Sequence, residues 1–127
     1  MLVLVHKRGN SSGKGKLKYY LVFTLFMAEF ADDSNIKEKI KKGIAAVDFF
    51  AEWCGPCGVF LPIFEEVSLL FKDVVFIKAN IEKCEDFVSE IDVMSVPMVV
   101  FFKEGAEVKR HHGVLSRQGL IDEIKGI

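Results

Sequence analysis

The chain has 127 residues, half of them apolar and twelve of them phenylalanine, which is enough for one buried core and unlike a disordered chain. Its formal net charge is −1, but residues 1–26 carry five basic and no acidic side chains, whereas residues 27–127 carry twelve basic and eighteen acidic ones. This distribution excludes a basic nucleic-acid-binding face in the folded part, and three cysteines exclude the disulfide framework of a small secreted domain and favour a reducing compartment.

Residues 1–18 are rich in glycine, serine and lysine after a short apolar start, and we expect a disordered basic leader there. A single domain is expected over residues 19–127. The aromatic stretch from Leu17 to Met27 is too short for a membrane-spanning helix, which needs about 20 residues. We interpret it as a strand at the sheet edge or as part of the leader.

An export signal or membrane tether is the alternative interpretation of this stretch. Phe26 and Glu29, however, stand where the candidate cleavage sites after Ala28 and Ala31 need a small residue. Met27 is a further candidate for the biological start.

The rest of the chain alternates between helical and strand patterns, with a hairpin near its end. Alternation of this kind predicts a mixed sheet with helices on both faces. The predicted elements are a helix after Asp32 to Asn35 that ends at Gly43, a strand over 44–51, a helix from about Gly58 that contains Pro62, a strand over 74–79, a helix over 84–91, strands over 98–102 and 107–112, and a last helix capped by Ser116.

Two cysteines separated by two residues, Cys54 and Cys57, follow the first apolar strand. Their position predicts a redox turn and a helix that begins at the cysteines. Unpaired N–H groups and the helix dipole stabilise a thiolate at a helix N-terminus, so Cys54 is the predicted nucleophile. Cys57, about one turn further on and less exposed, suits the resolving role.

Zinc binding and a purely structural disulfide are the alternatives for this pair. Zinc needs two more ligands, and the remaining candidates, which are Cys84, His6 and His111 with His112, supply no second closely spaced cysteine pair. A disulfide across two residues closes a tiny loop and removes little entropy from the unfolded chain. We therefore expect a redox cycle and no metal.

The segment from Val47 to Cys57 resembles the active-site segment of the thioredoxin family nearly residue for residue. Further matches follow in the family's order and spacing at 76–81, at Val96 and Pro97, at 101–105 and at Gly113. The resemblance covers roughly residues 28–127. It implies a thioredoxin fold, with a central mixed sheet of four or five strands and helices on both faces.

Asp48 interrupts the apolar strand that leads into the cysteines. An unpaired carboxylate in such a strand is costly, so the pKa of Asp48 is expected to rise. From the residues alone, proton transfer and a structural aspartate paired with the backbone or a lysine are equal alternatives. The resemblance implies proton transfer to and from Cys57, with Lys78 pairing with Asp48 and tuning it; an ordinary solvated lysine is the alternative.

Pro97 opens a strand, where a proline is either an edge residue or preceded by a cis peptide bond. The resemblance implies the cis bond, a proline that faces the cysteines and keeps metal away, and a Val96 backbone that pairs with an extended substrate strand. Trp53 is expected on an exposed apolar rim, with core packing as the alternative. The other substrate-binding residues implied by the resemblance are Gly55, Pro56 and Gly113.

Two positions depart from the family pattern. Gly58 stands where a basic residue is common, which removes one source of thiolate stabilisation. Met98 stands where a threonine is frequent, so we expect a more apolar client groove. Cys84 is interpreted as a small helix residue, with a regulatory or dimer-forming thiol as the alternative. His111 and His112 are adjacent on a strand and point to opposite faces, so they cannot hold one metal together.

The resemblance implies a dithiol-disulfide oxidoreductase that reduces protein disulfides, working in the cytoplasm as a monomer without a prosthetic group. Its partners would be disulfide-bearing client proteins and a thioredoxin reductase as electron donor, with no nucleic acid or membrane. One alternative is an exported or membrane-tethered oxidant, isomerase or cytochrome-maturation reductant. Another is a non-catalytic binding module, against which the two cysteines and Asp48 argue.

Overall fold

The computed structural model describes residues 28–127, so the expectations for residues 1–18 and for Leu17 to Met27 lie outside the described residues. Five strands and four helices follow one another along the described part of the chain. They are β1 (Glu29–Ala31), α1 (Ile36–Ile40), β2 (Ile44–Phe50), α2 (Gly55–Ser68), β3 (Val74–Asn80), α3 (Glu85–Glu90), β4 (Met98–Lys103), β5 (Ala106–His112) and α4 (Arg117–Lys125).

The strands form one mixed sheet in the order β1-β3-β2-β4-β5. β1, β3 and β2 run parallel, whereas β4 is antiparallel to β2 and β5 is antiparallel to β4. The turn between β4 and β5 places Glu104 and Gly105 at positive φ, as the predicted hairpin requires. The predicted fold class is confirmed.

Helices cover both faces of the sheet, and each face has its own core. β2 is buried along almost its whole length, which explains its nearly continuous apolar sequence. The core beneath α1 and α3 includes Val47 and Phe49 of β2. The core beneath α2 and α4 includes Ala46 of the same strand, together with Phe60 and Phe64 of α2.

The helix ends follow the predicted capping chemistry in two of three cases. α2 begins at the cysteines, as expected, and Ser116 caps α4 by accepting a 2.9 Å hydrogen bond from the Gly119 N–H. At α1 the N-cap residue Asn35 makes no capping bond to its own helix, because its side chain accepts from the Asp32 N–H instead. Gly43 adopts the positive φ expected where this helix gives way to β2.

The short edge strand β1 was not predicted. It has only three residues, too few for an alternating pattern to show in the sequence. Its register places Phe30 beside Lys78 of β3. None of the helices between residues 28 and 127 is long and apolar enough to cross a membrane.

Candidate active site

Cys54 and Cys57 form a disulfide at the start of α2, with their Cα atoms 5.3 Å apart. Cys54 is the N-cap residue, and its Sγ accepts a hydrogen bond from the Cys57 N–H at 3.2 Å. Pro56 in the first turn has no N–H to leave unpaired, so it suits this position. Because Cys54 is partly exposed and Cys57 is only 3% exposed, the two sulfurs differ in access as the sequence predicts.

The loop before β4 brings a backbone carbonyl to the cysteines. The peptide bond between Val96 and Pro97 is cis, as predicted. The carbonyl oxygen of Val96 lies 3.8 Å from Cys54 Sγ. The N–H of Gly113, which has a φ of 87°, donates to the Pro97 carbonyl oxygen at 2.8 Å. The ends of β4 and β5 are thereby tied together beside the disulfide.

Exposed apolar side chains accompany the segments that meet at the disulfide. Trp53 is 69% exposed, so its expected exposure is confirmed and the alternative of core packing is wrong. Its indole N–H donates to Glu82 at 3.2 Å, which holds the ring at the surface. Met94, two residues before Val96, is 86% exposed, and Val114, directly after Gly113, is 40% exposed.

Met94 and Val114 were not singled out from the sequence. Residue type alone could not have identified them, because an apolar residue in a loop gives no sign of its exposure. Only their position in the sequence, beside Val96 and Gly113, could have done so. Like Trp53, they are large apolar side chains exposed at the surface.

Asp48 is fully buried on β2, and both of its carboxylate oxygens lack a hydrogen-bond partner within the described residues. Alternation along the strand puts its side chain on the same face as Ala46, which is the face covered by α2. Burial raises the pKa of Asp48 from 3.8 to about 7, and the charge of Lys78 opposes this rise. The predicted direction of the shift is confirmed, and its cause is the loss of water around the carboxylate.

Lys78 does not make the direct pair with Asp48 that the sequence led us to expect. The two residues are register neighbours on β3 and β2. However, Lys78 Nζ donates to Glu65 Oε2 on α2 and lies 4.2 Å from the centre of the Phe30 ring. Lys78 is 5% exposed, so the alternative of an ordinary solvated lysine is also wrong.

Two further expectations concern the residues around the loop. Met98 is fully buried in the core beneath α1 and α3, so the expectation that it makes the client groove more apolar is wrong. Met98 is the first residue of β4, and its side chain points into this core and not to the surface. Gly58 is exposed, and nothing lies within 4 Å of the position that an added Cβ would take, so a larger side chain would fit there.

The remaining candidates lie apart from the disulfide. Cys84 is fully buried at the start of α3, and burial raises the pKa of its thiol to about 11, helped by the charges of Asp33 and Asp32. His111 and His112 lie on β5, where His112 Nδ1 is 3.5 Å from Ser95 Oγ. Between residues 28 and 127 no group of three or more histidine, cysteine or acidic side chains is arranged to bind a metal ion.

The described part of the chain is similar in sequence to known proteins. The family model described as thioredoxin matches residues 27–126. A thioredoxin of Chlamydia trachomatis is 33% identical over 95 residues, which is 75% of this chain and 93% of that protein. A thioredoxin of Equus caballus is 36% identical over 84 residues, which is 66% of this chain and 79% of that protein.

Solved structures show the same fold. The crystal structure of thioredoxin f from spinach chloroplast superposes with a TM-score of 0.74 at 22% identity. The superposition covers 80% of this chain and 94% of the spinach chain.

Proposed function

This chain belongs to the thioredoxin family and is a thiol-disulfide oxidoreductase, and from that premise we propose that it works as a reductant of protein disulfides. The observation that carries the proposal is the Cys54–Cys57 disulfide at the start of α2, in which Cys54 is partly exposed and Cys57 is buried. An accessible first sulfur can attack a client, and a buried second sulfur is protected until it is needed.

In the first step the reduced protein attacks the client. The Cys54 thiolate forms a bond to one sulfur of the client disulfide, and the client S–S bond breaks. The other client sulfur leaves as a thiolate and takes up a proton from water. The hydrogen bond from the Cys57 N–H to Cys54 Sγ, at 3.2 Å, supports the nucleophilic role because the same donor stabilises a thiolate.

In the second step Cys57 resolves the mixed disulfide. Asp48 accepts the proton of the Cys57 thiol, and the resulting thiolate attacks Cys54 Sγ. The bond from Cys54 to the client breaks, and the second client sulfur leaves as a thiolate that takes up a proton. The client has then gained two electrons, and the protein holds the Cys54–Cys57 disulfide. A carboxyl whose pKa is about 7 suits this role, since it can both accept and return a proton near neutral pH.

The client would bind as an extended segment across the exposed rim. The Val96 backbone lies beside Cys54, and an added strand could pair with it through main-chain hydrogen bonds. The contact surface around the disulfide would be completed by Trp53, Gly55, Pro56 and Gly113. Pro97 would fix the conformation of the loop that carries Val96. Their exposure or their proximity to the two sulfurs supports this assignment.

The electron donor proposed for the oxidised protein is a thioredoxin reductase, which would return two electrons and two protons to the disulfide. We further propose that the protein acts in the cytoplasm, as a monomer, and without a prosthetic group. Family membership supports these assignments.

Turbidity from insulin reduction in the presence of dithiothreitol tests the proposal directly. Wild type should accelerate the reduction, and Cys57→Ser should stop turnover after the mixed disulfide, which mass spectrometry would detect as a covalent adduct. Equilibration of the Cys54/Cys57 couple with glutathione then measures the direction of electron flow. A couple that stays reduced in a glutathione mixture of oxidising poise would contradict the assignment as a reductant.

A further inference from the structure

The carboxylate of Asp48 and the ammonium group of Lys78 lie on neighbouring strands, on the face of the sheet that α2 covers. Lys78 and Asp48 are register partners on the parallel strands β3 and β2. Register partners point to the same face of a sheet, so both side chains extend toward the same helix. Register alone would therefore predict an ion pair between them.

The ammonium group nevertheless binds another carboxylate. Lys78 donates to Glu65, and their side chains are 7% and 27% exposed. Phe30, the register partner of Lys78 on β1, places its ring 4.2 Å from the same ammonium. Within residues 28–127 no hydrogen bond reaches either oxygen of Asp48. The cation nearest to Asp48 in register is thus held by a residue of α2.

We propose that Glu65 is a positioning residue, which holds the Lys78 ammonium on α2 and so keeps it away from the Asp48 carboxyl group. The inference rests on the proposed role of Asp48 as the proton carrier for Cys57. Glu65 itself need not touch the client or either sulfur, because it acts through Lys78.

Two electrostatic effects of Glu65 act on Asp48 in the same direction. The negative charge of Glu65 disfavours a second carboxylate on the same buried face. Its bond to Lys78 also keeps the ammonium from hydrogen-bonding to Asp48, so Lys78 stabilises the ionised form only through its charge. Both effects would act with burial to bring the ionisation of Asp48 into the neutral range, where the proposed exchange with the Cys57 thiol takes place.

Other titratable groups lie on the elements packed against this face of the sheet. β4 presents Val99 beside Asp48, and beyond it His111 of β5 lies two strands away. Lys109 of β5 pairs with Glu123 of α4 at 2.8 Å. On α2, Cys57 is held in the disulfide, and Glu66 pairs with Arg117 of α4 at 3.2 Å. Histidine is the side-chain type whose charge can change at neutral pH, so the test includes a variant at His111.

The oxidised protein allows Asp48 to be titrated without interference, because neither Cys54 nor Cys57 ionises while they form the disulfide. The ¹³C resonance of the Asp48 carboxyl carbon should be followed from pH 4 to pH 10. Glu65→Gln should lower the midpoint by about one pH unit or more, the size expected when an opposite charge moves beside a carboxyl group. His111→Gln should leave the midpoint near its wild-type value.

Glu66→Gln is the matched control. It makes the same chemical change on the neighbouring residue of the same helix, but Glu66 is exposed and bound to Arg117. Its midpoint should stay close to that of wild type. An equal shift in Glu66→Gln, or no shift in Glu65→Gln, would overturn the proposal.

Lys78→Gln separates positioning from simple repulsion. If Glu65 acts through the ammonium, Glu65→Gln should shift the midpoint by less than half as much in a Lys78→Gln background. A shift of the same size in both backgrounds would leave only direct repulsion and contradict the positioning role. Glu65→Asp, which keeps the charge on a shorter side chain, should give an intermediate midpoint and guards against a variant that folds poorly.

In the reduced protein, the pH profile of mixed-disulfide resolution should move to lower pH in Glu65→Gln by the same amount as the midpoint. The two proposals can fail separately. A wild-type protein that does not reduce insulin contradicts the proposed function, whereas the midpoint of the oxidised protein tests Glu65 whether or not the protein is a reductant.

Discussion

Two cysteines occupy the same position in different helices, and their surroundings differ in the features that favour a thiolate. Cys54 is the N-cap residue of α2, and Cys84 is the N-cap residue of α3. Cys54 Sγ accepts the N–H of Cys57 and is partly exposed. Cys84 is fully buried, makes no hydrogen bond to its own helix, and has its Sγ 3.4 Å from the Ala31 carbonyl oxygen.

The N–H groups at the start of α3 are bound by a residue from another part of the chain. Asp33 accepts from the N–H groups of Asp86 and Phe87, each at 3.0 Å. These are the donors that would otherwise stabilise a thiolate at Cys84. Asp33 also adds a negative charge that raises the pKa of the Cys84 thiol further. A helix N-terminus therefore favours a thiolate only where the sulfur itself receives the N–H groups and meets solvent.

The largest expected difference between the two cysteines is in activity. Cys54→Ser should reduce insulin turnover to the rate given by dithiothreitol alone, because the proposed nucleophile is then missing. Cys84→Ser should keep wild-type turnover, since the buried hydroxyl can use the Ala31 carbonyl oxygen as the thiol does. A loss of activity in Cys84→Ser, with circular dichroism unchanged, would show that the comparison is wrong.

Alkylation should sharpen the comparison without any substitution. The Cys84 thiol has a pKa of about 11, and pH 8 lies three pH units below that value. At pH 8 the thiol is therefore ionised in about one molecule per thousand. Iodoacetamide should therefore label Cys54 much faster than Cys84 in the reduced native protein, because the Cys84 thiol is rarely ionised and is also buried away from the reagent.

Peptide mapping after a timed quench measures both alkylation rates. Labelling in urea provides the control, because all three cysteines should then react. Rapid native labelling of Cys84 would instead support the regulatory thiol that the sequence left open.

The local elements and the redox site could be predicted because their signals are short in sequence. The apolar run of β2, the spacing of Cys54 and Cys57 and the Ser116 cap each depend on neighbours within a few residues. The cis bond before Pro97 was predicted from the family resemblance, since the base rate for proline favours trans.

The failures concern contacts between residues far apart in sequence. Lys78 binds Glu65 rather than Asp48, and this choice depends on how α2 lies over the sheet. Met98 was assigned to the groove because it follows Pro97, but its side chain enters the opposite core. Asp33 caps a helix that begins 52 residues later, and no local pattern shows this. Packing of one element on another decides each of these contacts.

Two aspartates near the two cysteines should affect stability with opposite signs. The pKa of Asp48 is about 7 in the folded protein and 3.8 without burial, so between about pH 4 and pH 7 the native state binds more protons than the unfolded state. The free energy of unfolding therefore falls as pH rises through this range. At pH 8 the buried Asp48 is ionised, and this lowers the free energy of unfolding by on the order of 4 kcal/mol.

Asp48→Ala should remove this cost and raise the free energy of unfolding at pH 8 by up to about 4 kcal/mol, with little change at pH 4. Asp33→Ala should lower it by about 1 to 2 kcal/mol, because α3 loses its cap. Urea denaturation at both pH values measures these differences. A destabilised Asp48→Ala at pH 8 would mean that the carboxylate has a compensating partner.

The smallest expected effect is at Gly58, where the family commonly has a basic residue. A lysine fits there, since nothing lies within 4 Å of the position of an added Cβ. Its charge, one residue after Cys57, should lower the pKa of the Cys54 thiol by less than about one pH unit, because it is exposed and screened by solvent.

Gly58→Gln is the matched control, because glutamine and lysine raise helix stability by similar amounts over glycine, about 1 kcal/mol. Thiolate absorbance at 240 nm against pH, measured in a Cys57→Ser background, gives the pKa of Cys54 in both variants. A shift shared by lysine and glutamine would trace to the helix backbone, whereas a shift confined to lysine and reduced by salt would show that charge beside the turn distinguishes the reactivity of this N-cap from that of Cys84.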